Sequence, residues 1–280
     1  MIFSDYTLLN VGDSFAFGQG TVEHYHVKFG LEADYIDSIR QEWKSKCNSN
    51  SYVKHIEKEL EFKQSVNLAL PGCSDELSLI NAEAWLNKNP KEKVFLLFSL
   101  TDPQRQIFFD NKKQIDFLDT FKYTSKIAKG GGLDYYYGVL NNDISLTFKT
   151  YQFRKSLKRF IDTNNIKHYI FSPRDNMDER IIKRRKNWNN TIDEGIDHWN
   201  KLGIADDFKE WMNSIEDEKT LGDNYLTINK LLSIKKEKTI FDWLKNTCKP
   251  LLSYDDVHYS KEAHNMISQL LSAQIRQNNA

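Results

Sequence analysis

Residues 94–100, VFLLFSL, are the most continuous apolar run of the chain. A run of this kind, without polar alternation, reads as a strand buried on both faces, the condition of a central strand in a parallel sheet. A strand covered on both sides needs helices on both sides, which points to a layered α/β fold. The rest of the chain supplies the partners. Leu8–Val11 and Ser65–Leu70 read as further strands, and His168–Ser172 as a fourth, stopped by Pro173. Between them, 35–62 carries Ile36, Ile39, Trp43, Val53, Ile56 and Leu60 at roughly helical spacing, with an Asn/Ser break near 48–51. A helix over 75–86 begins at Ser74 or Asp75 as its cap, another covers 148–161, and 260–276 places Ala263, Met266, Ile267, Leu270 and Leu271 on one face. Strand and helix alternating in this order predict a doubly wound parallel sheet with right-handed crossovers, built as one domain over residues 1–280.

The stretch Leu8–Gly20, LLNVGDSFAFGQG, ends its strand abruptly at Gly12-Asp13-Ser14, with two further glycines at Gly18 and Gly20. A serine at the carboxyl end of a parallel strand sits at the rim where open α/β sheets hold ligands. Glycines there let a substrate approach the backbone. The same residues also suit a tight turn before a helix. The spacing G-D-S-F-x-x-G-x-G resembles the first motif block of the SGNH (GDSL) hydrolases. Two more blocks follow in that family's order: Asn67-Leu68-Ala69-Leu70-Pro71-Gly72-Cys73-Ser74 resembles the second, and Asp255-Asp256-Val257-His258 the last, placed just before the terminal helix. The third departs from the pattern, since Ser99-Leu100-Thr101-Asp102 stands where the family has Gly-x-Asn-Asp, with Thr101 in place of the asparagine.

The resemblance implies an SGNH-like fold and a serine esterase of the acyl-enzyme type. Ser14 would be the nucleophile, His258 its base and Asp255 the residue that orients the base. The backbone N–H groups of Ser14 and Gly72 would form the oxyanion hole, completed by Thr101. The family uses no metal or other cofactor, and cleaves esters as different as acetylated sugars, lipids and small thioesters. The acyl group and the alcohol are read by variable loops. A protein that has kept the fold and lost the chemistry is the competing reading, favoured by the altered third block and opposed by the joint presence of Ser14, Asp255 and His258.

Two stretches exceed what such a core needs. The first, about 103–142, holds Gly130-Gly131-Gly132, which lacks the following Lys-Ser/Thr of a phosphate loop and reads as a hinge or turn. It also holds Tyr135, Tyr136 and Tyr137, which could line a sugar or acyl site or serve as packing aromatics. Arg105, just past the third block, could reach a substrate carboxylate or phosphate, or pair with Asp102. The second, about 175–250, reads as mostly helical, either a cap or an extension of the core.

Charge narrows the partners. Lys+Arg and Asp+Glu are both 39, so no net field recruits nucleic acid, and the basic run around Arg180 and Lys183–Lys186 is flanked by acidic residues as on a solvated helix face. Small-molecule or glycan esters are the expected partners. His24 and His26, beside Glu23, lack a third ligand and read as surface histidines, so no metal site is expected. Cys47, Cys73 and Cys248 are widely spaced without a CxxC, as free thiols in a reducing compartment are. No apolar stretch approaches the roughly 20 residues of a membrane span, and the N-terminus has no signal-peptide pattern. The expected location is the cytoplasm, with association to a virus particle as the alternative for a phage-encoded chain; the abundance of Lys, Asn and Ile is compatible with an AT-rich bacterial or phage genome.

Overall fold

The computed structural model describes residues 3–22, 33–101, 143–173, 221–227, 230–231, 239–251 and 258–279. Within them five parallel strands form one sheet in the order β2-β1-β3-β4-β5. They are β1 (Tyr6–Val11), β2 (Gln64–Asn67), β3 (Lys93–Ser99), β4 (Lys167–Phe171) and β5 (Tyr225–Leu226). The described helices are α1 (Ser14–Phe17), α2 (Ala33–Asn50), α3 (Tyr52–Glu59), α4 (Asp75–Lys88), α5 (Asp143–Thr163), α6 (Ile240–Thr247) and α7 (Lys261–Asn279).

β3 lies mid-sheet, with Tyr6–Val11 of β1 in register with Lys93–Phe98 on one side and Lys167–Phe171 of β4 beside Phe95–Ser99 on the other. Its residues Val94–Ser99 are all buried, which is why they carry no polar alternation. Successive side chains point to opposite faces, and two separate cores result. On one face Leu8, Phe95, Leu97, Tyr169 and Phe171 pack with Phe15, Tyr52, Ile56, Ile240, Leu244, Ile267 and Leu271 of α1, α3, α6 and α7. On the other, Leu9, Val11, Leu96, Phe98 and Ile170 pack with Ala82 of α4 and Phe153, Leu157 and Ile161 of α5.

The fifth strand departs from the sequence reading. Tyr225 and Leu226 fall in the stretch expected to be mostly helical, yet they pair with Ile170 and Phe171 of β4, and both are buried. Tyr225 and Leu226 therefore extend the sheet at the β4 edge. Two residues are too few to show a period in sequence, so only their pairing reveals the strand. The order 2-1-3-4-5 reverses direction between β1 and β3, and the crevice outside the carboxyl ends of those two strands is the natural ligand position in such sheets.

Candidate active site

The end of β1 builds the first wall. Gly12 has φ +148, and a Cβ there would lie 2.7 Å from Ser99 Cβ and 2.8 Å from Ala16 Cβ, so only glycine lets β1 turn against β3 at this point. Asp13 is the N-cap of α1, accepting from Phe15 N–H at 3.0 Å. Ser14 thus opens a one-turn helix instead of sitting in an open loop, and Gly18 in the left-handed conformation closes it.

Beneath that turn lies a buried polar lattice. Asn10 Nδ2 donates to Asn67 Oδ1 at 2.8 Å and to Ala16 O at 3.3 Å, while Tyr52 Oη donates to Asn10 Oδ1 at 3.1 Å. Asn67 Oδ1 also accepts Ala69 N–H at 3.2 Å. The Tyr52 backbone N–H in turn donates to Nδ1 of His264, whose ring stacks on Tyr52 with centroids 5.6 Å apart. Burial holds the His264 ring neutral, bringing its pKa down to about 3, with His55 and His258 adding smaller repulsions. Burial likewise pushes the Tyr52 phenol far up. His264 is wholly buried. Asn10 and Tyr52 were not singled out in the sequence. An asparagine inside an otherwise apolar strand was the available signal, because a buried amide requires partners.

The second segment is zipped to the first. Beyond β2 the chain keeps pairing with β1, with Leu68 N–H donating to Asn10 O at 2.8 Å and Leu70 N–H to Gly12 O at 3.0 Å. Gly72, at φ +79, follows the last of these pairings by two residues. Ser74 then caps α4, accepting from Leu77 N–H at 3.3 Å.

Asp75, the first residue of α4, has a different role from the capping one considered in sequence. Its buried carboxylate accepts the Thr101 backbone N–H at Oδ1, 2.8 Å, and meets Arg154 Nη1 at Oδ2, 2.8 Å. Burial pushes the Asp75 carboxyl up to about 6, against the opposing pull of Arg154 and the Thr101 N–H. Thr101 is buried at the end of β3, with its backbone N–H held by Asp75.

The third segment brings the histidine. His258 Nε2 lies 2.6 Å from Ser14 Oγ, across 244 residues of chain. The Phe15 ring lies beside the imidazole with centroids 5.0 Å apart. Gly20, at φ +90, faces the His258 backbone so closely that a Cβ would come within 2.9 Å of His258 Cβ and 2.8 Å of Tyr259 O. Tyr259 is anchored by its hydroxyl, which donates to Pro173 O, and by its ring against Phe15 at 4.9 Å. Ser260 N–H donates to Leu251 O at 3.0 Å.

The structure thus brings Ser14, Gly72, Thr101 and His258 to the carboxyl edge of β1, β2 and β3. Asp255, Arg105, Tyr135 and Tyr136 lie outside the described residues, as do His24 and His26. All three cysteines are buried and free. No described helix is long and apolar enough to cross a membrane.

No family model matches this chain, and no curated protein matches it. Solved structures do. A protein assigned to the G-D-S-L lipolytic family from Desulfitobacterium hafniense aligns over 95% of this chain and 98% of its own, at 14% identity and TM-score 0.42. The psychrotrophic esterase EstA from Pseudoalteromonas sp., in a structure inhibited by monoethylphosphonate, aligns over 98% of both chains at 12% identity and TM-score 0.43. A carbohydrate esterase, whose active site is described as having divergent catalytic and non-catalytic binding functions, aligns over 98% of this chain and 69% of its own at 11% identity and TM-score 0.44.

Proposed function

We propose that this chain is a serine ester hydrolase of the SGNH type, working through an acyl-enzyme on a small acyl ester or an acetylated glycan. The observation that carries the reading is the contact of 2.6 Å between Ser14 Oγ and His258 Nε2. A serine hydroxyl is a weak nucleophile until a base takes its proton, and an imidazole nitrogen at hydrogen-bond distance is that base. Ser14 Oγ attacks the ester carbonyl carbon as its proton passes to His258 Nε2. The proton then goes to the departing alcohol, leaving the acyl group on Ser14, and a water activated by the same nitrogen releases the acid. Asp255, three residues before His258, orients the ring in this reading.

The oxyanion formed at each step is assigned to the N–H groups of Ser14 and Gly72 and to the Thr101 hydroxyl. The zipped pairing of 68–70 with β1 supports this assignment for Gly72, because it bonds Leu70, two residues before the glycine, to Gly12, two residues before Ser14. Substrate selection is assigned to the segment 103–142, which follows Thr101 in sequence and contains Arg105, Tyr135 and Tyr136.

The test is labelling with a fluorophosphonate followed by mass spectrometry, alongside hydrolysis of short p-nitrophenyl esters. The expected result is one adduct at Ser14 and loss of turnover in Ser14→Ala. A folded wild-type protein that takes no adduct at Ser14 refutes the enzymatic reading and leaves a binding protein with this fold.

A further inference from the structure

The two segments assigned to the oxyanion hole, 72–75 and the end of β3, belong to different strand-helix units, and their separation sets whether one oxygen can meet both. A hydrogen bond links them. Asp75 stands three residues after Gly72, and its Oδ1 takes the backbone N–H of Thr101 at 2.8 Å. Its other oxygen is held by Arg154 at 2.8 Å, with the arginine side chain 1% and the aspartate side chain 8% exposed. Arg154 comes from α5, next to Phe153 of the apolar stripe that seats this helix on the sheet. The carboxylate is thus clamped from both sides, by a helix packed on the core and by the strand end it positions.

We propose that Asp75 and Arg154 are positioning residues, forming a staple that sets the distance between Gly72 and Thr101 and so the geometry of the oxyanion hole. The inference rests on the hydrolase reading for its catalytic consequence, while the staple itself concerns the backbone alone. Three features support it over a purely stabilising ion pair. The acceptor is charged, so its bond to the Thr101 N–H is stronger and more directional than a neutral one. The bond joins two functional segments and not two arbitrary surfaces. A buried ion pair is also a poor source of stability, since well-packed apolar residues of similar volume often serve as well or better.

That last point supplies the test. The double variant Asp75→Leu/Arg154→Met removes both charges and the acceptor, and Asp75→Asn/Arg154→Met removes both charges but retains an acceptor oxygen for Thr101. Both are compared with wild type by thermal unfolding, by amide hydrogen exchange at Gly72 and Thr101, and by kcat and KM on a p-nitrophenyl ester. The staple predicts that the Leu/Met protein exchanges the Thr101 and Gly72 amides at least about tenfold faster and loses at least about tenfold in kcat with little change in KM. The Asn/Met protein is predicted to stay within about threefold of wild type. Equal kcat and equal exchange in the two variants overturn the proposal. If the Leu/Met pair does not fold, Asp75→Glu decides. It keeps the charge but moves the carboxylate by one methylene, and it should lower kcat by about tenfold at unchanged KM, whereas wild-type kcat overturns the staple. A wild-type protein without esterase activity or Ser14 labelling would refute the hydrolase reading, and the exchange arm would then judge the staple by itself.

Discussion

Gly20→Ala probes how the nucleophile and its base are kept in register. In the present structure a Cβ at position 20 would sit 2.8 Å from Tyr259 O and 2.9 Å from His258 Cβ, where ordinary contact begins at 3.4 Å. Neither neighbour is the free end of a flexible side chain. Tyr259 is wholly buried and tied to Pro173, so relief must come from moving the backbone that carries His258. Restoring contact needs a displacement of about 0.6 Å, and a reacting group misplaced by about 1 Å loses on the order of a hundredfold in rate. The φ of +90 adds a backbone penalty of roughly 1–2 kcal/mol for any L side chain. Gly20→Ala is therefore expected to lower kcat by about ten- to a hundredfold with KM within about threefold, and to destabilise the fold by about 1–3 kcal/mol. Steady-state hydrolysis of p-nitrophenyl acetate and urea unfolding measure the two effects separately. A variant that loses stability but keeps wild-type kcat would show that Gly20 does not hold the His258 segment, and that the contact of 2.6 Å is set elsewhere.

Other outcomes follow from the same geometry. His258→Ala removes the proposed base and should reduce turnover at least as far as Asp255→Ala, which removes only its orienting partner; near-normal turnover in the histidine variant would move the base to another residue. Thr101→Val, nearly isosteric but without the hydroxyl, is expected to cost about 2.7–4 kcal/mol of transition-state stabilisation, seen in kcat far more than in KM. An unchanged kcat would restrict the hole to the Ser14 and Gly72 amides. His264 tests the buried lattice through pH. Its folded pKa, about 3, lies below the ordinary histidine value of 6.5, so the stability it confers is complete above 6.5 and is lost as pH falls from there towards 3. The slope is at most about 1.4 kcal/mol per pH unit. Urea unfolding of wild type and His264→Asn at pH 7 and pH 5 should show a smaller drop in the variant, and parallel curves would remove His264 as the cause.

The sequence alone determined what depends on neighbours along the chain. The apolar run at 94–100 required a doubly covered strand, and β3 is buried from Val94 to Ser99. The glycines around Ser14 marked a corner, and Gly12, Gly18 and Gly20 all take positive φ there. The Asn/Ser break near 48–51 marked where one helix or two could lie, and α2 ends at Asn50 with α3 starting at Tyr52. These features are local, because period, cap and turn chemistry act over a few residues and leave their pattern in the order of the letters. What only the tertiary structure decided are the meetings of residues far apart. Asp75 reads as a helix cap until Arg154, 79 residues on, is placed beside it. Asn10 reads as an interruption of a strand until Asn67 and Tyr52 satisfy its amide. Tyr225 and Leu226 have no period of their own and become a strand only by pairing with β4. Gly20 reads as one more loop glycine until the backbone of His258 closes over it. A buried polar group or a close backbone approach is defined by its partner, and a partner brought in by sheet order and helix packing has no fixed offset in sequence.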